Sequence, residues 1–466
     1  MSIDALKLLG EFGLLDRGGH PVDVARLSDD RLRGFLHDYY RARSEGAESE
    51  IARYAEDRAP LSTLLSSISA TADMRTVLPA LLVFGRVHVP DALFAMSVPE
   101  TSATRAYRTA VGGARAAPVA RQSVCRAIEF LAQMEGLIRD GALVVLPTEL
   151  VHARGESVPV FYAEDNYESA FPEVVRNFID AHAQVRQALV DKTSGEVSVP
   201  SELAATPSRA ISISFRDDAG NKGMFFILSS IRSMVPLPQP GHYKVQYDYD
   251  LEKPVKPDEY EVWRTQSIRR TALNRLDSVG REIALSSTLG ATYLTQSSFE
   301  SQLLGMAGRL TTDSNAAQAV NFLLANSPPI AITGARQVLN VRRNDRQAFA
   351  HLQQALLDAA VELRGVDPKD FDARAQALLR RIVEPELRKA ESRVSRFASH
   401  GASVVVSTSA SLALALLTGG GLPVGALLGL IAAGTAANSI PSVAEYVKTR
   451  NTPEHILWRL QDRGNG

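Results

Sequence analysis

No Asp, Glu, Lys, Arg or His occurs in the 44 residues 401–444. A run of that length without charge has two destinations, the interior of a bilayer or the interior of a protein. It divides into two apolar arms, 402–418 and 422–440, around Gly419, Gly420 and Gly421. The glycines form a hinge with Pro423, which suits the first turn of the second arm because its missing N–H is not needed there. At about 1.5 Å rise per residue each helical arm spans roughly 26–28 Å. That is close to the hydrocarbon thickness of about 30 Å. Ser403, Ser407, Thr408, Ser409 and Ser411 dilute the first arm, so its insertion on hydropathy alone is marginal.

The small residues are periodic. Ser403, Ser407, Ser411 and Ala415 recur every four positions in the first arm, and Gly425, Gly429, Ala433 and Ala437 do so in the second, with Gly421 one step earlier. A small residue every fourth position lines one helical face and lets two backbones approach closely. The arms are therefore expected to pack as an antiparallel hairpin. Basic residues border it on both sides, Arg393 and Arg396 before and Lys448 and Arg450 after. That distribution keeps both ends on the cytoplasmic side of a two-pass segment. In composition and placement the hairpin is similar to the hydrophobic hairpin near the end of colicin-type pore-forming domains. The similarity covers about 40 residues and implies a membrane-active role without assigning functional residues.

The rest of the chain has ordinary soluble character. A net charge of −1 leaves no global field to steer it to nucleic acid. The single cysteine, Cys125, excludes an internal disulfide. The start, Met1-Ser2-Ile3-Asp4, lacks the basic and apolar regions of a secretory signal, so a cytoplasmic location is expected. Forty-two Arg against nine Lys, with abundant Ala and Leu, suits a high-GC bacterial source.

Residues 1–60 show helical periodicity, with Leu8, Phe12 and Leu15 on one face. Ser28 is placed to cap a second helix bearing Leu32, Phe35, Leu36 and Tyr39. The apolar run 80–84 and the alternation Arg86-Val87-His88-Val89 suit strands. A helix over 127–138 and a strand over 143–146 complete a small α/β unit spanning roughly 75–150. The loop Gly112-Gly113-Ala114-Arg115 lacks the residues of a phosphate-binding motif. Tyr162, Glu164, Asp165, Tyr167, Glu168 and Glu173 form an acidic, aromatic loop leading into a helix over 172–190. Alternation over 211–215, a turn over 217–221 and a return over 224–228 predict a hairpin. Tyr243, Val245, Tyr247 and Tyr249 predict a further strand. A long helix follows over about 259–287, with Ile268, Leu276, Val279 and Ile283 facing inward. More helices are expected over 299–310, 316–325, 345–363 and 370–399, with Arg342, Arg343 and Arg346 on a solvated surface.

The fold class expected is α+β, predominantly helical. A helical and α/β domain covers 1–190, an antiparallel β-rich region 191–256, and a helical domain with the apolar hairpin 257–466. The leading function is a cytoplasmic bacterial sensor or effector, of toxin-like or phage-defence type, whose hairpin associates with or disrupts a membrane. A protein partner or self-association goes with it. The alternative is a soluble interaction or scaffold protein with the hairpin as its buried core. An enzyme is the third class, for which Glu164, Asp165, Glu168, Asp217 and Asp218 supply carboxylates and His88 or His242 a base. None of these stands in a spacing that chemistry demands, and no catalytic, cofactor or metal motif is present.

Overall fold

Short strands buried on both faces need cover on each side of the sheet, and such strands form the centre of this protein. The computed structural model describes residues 5–363 apart from gaps, the longest at 100–120, 151–171 and 304–333, together with Arg374, Ala377 and Arg381. The hairpin 402–440 and its basic flanks lie outside the described residues, as do Glu164, Asp165, Glu168, His242, the helix expected over 316–325 and most of those expected over 299–310 and 370–399.

Strands β1 (Ser62–Leu65), β2 (Arg86–Pro90), β3 (Leu143–Leu146) and β11 (Thr292–Leu294) form a parallel sheet in the order β11-β1-β2-β3. Leu65, Val87, Val89, Leu143 and Val145 point into one core. There they meet α1 (Ala5–Glu11), α2 (Asp29–Glu56), α3 (Met74–Val83), α4 (Ala92–Ser97), α5 (Arg121–Gln133) and α6 (Glu135–Arg139). Leu64, Val144, Leu146 and Tyr293 point into the other core, against α7 (Glu173–His182), α8 (Pro257–Thr288) and the hairpin of β7 (Ala210–Phe215) and β8 (Met224–Ile227). The chain steps outward from β1 to β3 with its helices on the first face. It then crosses to the second face and enters β11 on the far side of β1.

Ser28 caps α2 as expected, its hydroxyl accepting from the Arg31 amide at 3.3 Å. The apolar run 80–84 is not a strand. It closes helix α3, in which Val77 and Leu81 are buried at helical spacing, and Phe84 just after it is buried too. A short continuous apolar run fits a buried helix as well as a strand, and Pro79 falls inside α3 rather than bounding it. The helix expected over 172–190 stops at His182. Ala183–Gln187 forms β4, drawn into antiparallel pairing with β7 through Val185 opposite Ile213. Two smaller antiparallel pairs are also described: β5 (Leu189–Val190) pairs with β6 (Val197–Ser198), and β9 (Ser230–Pro236) with β10 (Tyr243–Asp248).

Helix α8 matches its expected span, and Ile268, Leu276, Val279 and Ile283 are all buried. After the gap, α9 (Ala335–Asn344) and α10 (Arg346–Leu363) return to the first face, against α3. Arg342 is not a solvated surface residue. Its guanidinium donates to the carbonyls of Leu81 and Phe84 at 2.8 and 2.9 Å and of Gly85 at 2.6 Å, closing the end of α3. Among the described residues no helix is long and apolar enough to cross a membrane.

Candidate functional site

Two buried ionic networks of the same make-up stand at the carboxyl end of the parallel sheet. Each takes an Arg and a Glu seven residues apart on a long helix, an Asp just after a strand, and a Tyr.

In the first, the apolar stripe of α2 continues from Tyr39 into Arg43, Ala47 and Glu50, all buried. Arg43 Nε donates to Asp91 Oδ2 at 3.0 Å, Nη1 to Glu50 Oε2 at 2.7 Å and Nη2 to the Val145 carbonyl at 2.8 Å. The Tyr39 hydroxyl donates to Asp91 Oδ2 at 2.7 Å. Asp91 follows β2 directly and caps α4, where its Oδ1 accepts from the Phe94 amide at 3.0 Å. Burial works against the Arg43 cation, but Asp91, Tyr39 and Glu50 hold its pKa above the ordinary value. Burial raises the Glu50 carboxyl, with Arg43 opposing. Burial and Asp91 push the Tyr39 phenol well up.

In the second, Arg275 and Glu282 face inward from α8. Arg275 Nε lies 3.2 Å from Asp218 Oδ2, and its Nη2 lies 2.5 Å from Glu300 Oε2. Glu300 also accepts from Thr295 Oγ1 at 2.8 Å, and Ser297 Oγ donates to Asp218 Oδ1 at 2.6 Å. Tyr293, on β11, contacts Glu282 and Glu300 at 2.6 and 2.5 Å. Asp217 adopts a left-handed φ of 63°, and its carbonyl accepts from the Phe299 amide at 3.2 Å. That turn directs Asp218 inward. Phe299 stacks on Phe215 with ring centroids 4.5 Å apart, sealing the cluster beside His182.

Both networks are closed to solvent, so they fix strand ends rather than touch a substrate. Of the described residues that follow β1 and β11, Val77 and Leu81 of α3 lie in the first core, whereas Phe299 and Leu303 after β11 lie in the second. The residues that immediately follow β1, 66–73, lie outside the described residues.

Asp217 and Asp218, expected as a carboxylate pair, separate into a strained turn residue and a network member. His88 does not join them. It is buried in β2 between Leu64 and Val144, edge-on to Tyr54 at 5.9 Å, with neither ring nitrogen hydrogen-bonded. Burial, aided by the Arg86 cation, drives its pKa down to about 3. Carboxylates thus gather at Glu300 without a histidine in hydrogen-bonding contact. Among the described residues no group of three or more His, Cys, Asp or Glu suits a metal ion. A surface groove of about 460 Å³ lies elsewhere, where Pro21, Gln133, Glu135, Arg139, Arg336 and Leu339 line the seam of α6 and α9.

Arg43, Glu50, Arg275, Glu282 and Glu300 were not anticipated. The available signal was a charged residue set into an apolar helical stripe, since Arg43 is four residues beyond Tyr39 and Arg275 seven beyond Ile268. No family model, curated protein or solved structure matches the chain.

Proposed function

We propose that the chain is a two-part sensor and effector. Its α/β body receives a ligand or protein partner at the carboxyl ends of β1 and β11. The hairpin 402–440, with Arg393, Arg396, Lys448 and Arg450 at its borders, is the output and associates with or disrupts a membrane. A cytoplasmic bacterial protein of toxin-like or phage-defence type is built in this way.

The observation that carries the sensing half is the strand order β11-β1-β2-β3, with its reversal beside β1. In open parallel sheets such a reversal places binding at the carboxyl ends of the two strands beside it, which supports this site. The output half is supported by the charge-free 44 residues and their four-residue stripes of small side chains.

The full chain mixed with vesicles of anionic or zwitterionic lipid, at neutral and mildly acidic pH, provides the test. Wild type is expected to float with vesicles and release trapped dye. Gly425→Leu with Gly429→Leu is expected to lose dye release, because leucines on the small-residue stripe hold the arms apart. No flotation of wild type in any of these conditions overturns the membrane reading and favours a soluble scaffold with the hairpin as core.

A further inference from the structure

Tyr293 offers one hydroxyl to two carboxylates. Its oxygen lies 2.6 Å from Glu282 Oε2 and 2.5 Å from Glu300 Oε1. Both are distances of O–H···O hydrogen bonds, and each needs a hydrogen between its two oxygens. A phenol supplies one. The other has to ride on a carboxyl group.

We infer that Glu282 and Glu300 hold one carboxylic-acid proton in common through Tyr293, and that this proton is a pH-sensitive latch tying β11 and the residues after it to α8. Charged and polar groups face it from both elements. Glu300 Oε2 accepts from Arg275 Nη2 at 2.5 Å and from Thr295 Oγ1 at 2.8 Å, and both donors favour the ionised form of Glu300. Whichever carboxyl carries the acid proton donates it to the Tyr293 oxygen, and Tyr293 donates its own hydrogen to the other. Asp218, from the turn after β7, faces the same Arg275 and takes the Ser297 hydroxyl at 2.6 Å, so it competes with Glu300 for the guanidinium.

Burial strengthens the arrangement, because a second ionised carboxylate in a sealed site loses its hydration. It also raises both Glu300 and Tyr293, Arg275 opposing in each case. When the shared proton leaves, Tyr293 has one hydrogen for two carboxylates, so one of the two contacts is left with oxygen facing oxygen and opens. Glu282 is on α8 whereas Tyr293 and Glu300 are on or just after β11, so the opening weakens the run of contacts from α8 through Tyr293 to the residues after the strand. Its direction with pH follows from linkage. A carboxyl raised in the folded state binds a proton that the unfolded chain gives up above its ordinary 4.5. The stabilisation is complete below that value and is lost as pH rises through the higher folded one.

The test uses the full chain and two conservative variants, Glu282→Gln and Glu300→Gln, whose carboxamides supply a permanent N–H to the Tyr293 oxygen. Infrared difference spectra of wild type at neutral pH are expected to show a buried protonated-carboxyl stretch, lost in at least one variant. Hydrogen exchange of the β11 amides, corrected for intrinsic rate, is expected to lose protection in wild type as pH is raised and to stay level in that variant. If one variant fails to fold, the other still reports. Absence of the protonated-carboxyl stretch in wild type overturns the proposal. So does its persistence in both variants, or β11 protection that changes with pH equally in all three proteins.

Discussion

Asp91 Oδ2 lies 3.0 Å from Arg43 Nε across a separation of 48 residues, and both side chains are sealed from solvent. The pair joins a long N-terminal helix to the loop end of β2, and the same guanidinium reaches Glu50 and the Val145 carbonyl. Arg43→Ala strands Asp91 and Glu50 without their cation. Removing one partner of a buried ion pair typically costs about 3–5 kcal/mol, and denaturant unfolding is expected to show a loss of that order. Arg43→Lys is expected to recover only a fraction, because an ammonium cannot present the planar fork that three acceptors on different elements require. A Lys variant as stable as wild type contradicts this geometry.

His88 sets the acid limb of stability. It is neutral in the folded protein down to about 3 but titrates near its ordinary 6.5 when unfolded. Between those values the unfolded chain binds the extra proton, so folding stability falls as pH falls through that window. At 1.36 kcal/mol per pKa unit the contribution reaches about 5 kcal/mol at the acid end. His88→Leu suits the apolar neighbours Leu64 and Val144 and removes two nitrogens that lack partners. Its stability profile is expected to be flatter than wild type from neutral pH to pH ~3, with neutral stability equal or higher. Parallel acid limbs in the two proteins refute the assignment.

What local pattern could carry was legible, and what depended on distant partners was not. Helix α8 announced itself through Ile268, Leu276, Val279 and Ile283, and the β7–β8 hairpin through alternation around a turn. Strand β1 escaped because Ser62 and Thr63 dilute its four residues, and its identity rests on pairing with β2 and with β11, more than 200 residues away. β4 escaped because its residues continue a helical run until β7 draws them into a sheet. The candidate site was hardest to read. Arg275 meets Asp218 from 57 residues away, and neither residue's surroundings mark the other. His88 was named as a base from its place beside a strand, yet its environment turns it into a buried neutral ring.

Gly223 is a position where only glycine fits. Its φ is +75°, and a Cβ there would lie 2.2 Å from the Ile213 carbonyl oxygen. Left-handed backbone costs other residues about 1–2 kcal/mol, and the collision adds displacement of a carbonyl at the Ile213–Met224 end of the hairpin. Gly223→Ala is therefore expected to destabilise by at least about 2 kcal/mol in denaturant unfolding. Gly13 provides the control. Its φ is +66°, but nothing lies within 4 Å of its added Cβ, so Gly13→Ala is expected to show the backbone cost alone. Equal losses at the two sites contradict the steric part of the argument.

Arg342 fastens α9 to the body after a long undescribed stretch of chain. Its three hydrogen bonds close the carbonyl end of α3, and its guanidinium lies 4.5 Å from the Phe349 ring centroid. The same helix places Leu339 so close to Gly136 that a Cβ there would stand 2.7 Å from its Cδ2. These contacts share the docking of α9 unequally. The tip of Leu339 can swing aside for an alanine, whereas Arg342 alone donates to three carbonyls, those of Leu81, Phe84 and Gly85. Arg342→Ala is expected to cost about 1–3 kcal/mol, the usual penalty for buried acceptors left without donors. Gly136→Ala is expected to cost less. Hydrogen exchange separates a cap from a fastening: Arg342→Ala should lose protection along α9 as well as in the last turn of α3. A loss confined to α3 shows that Arg342 ends that helix without holding the two together.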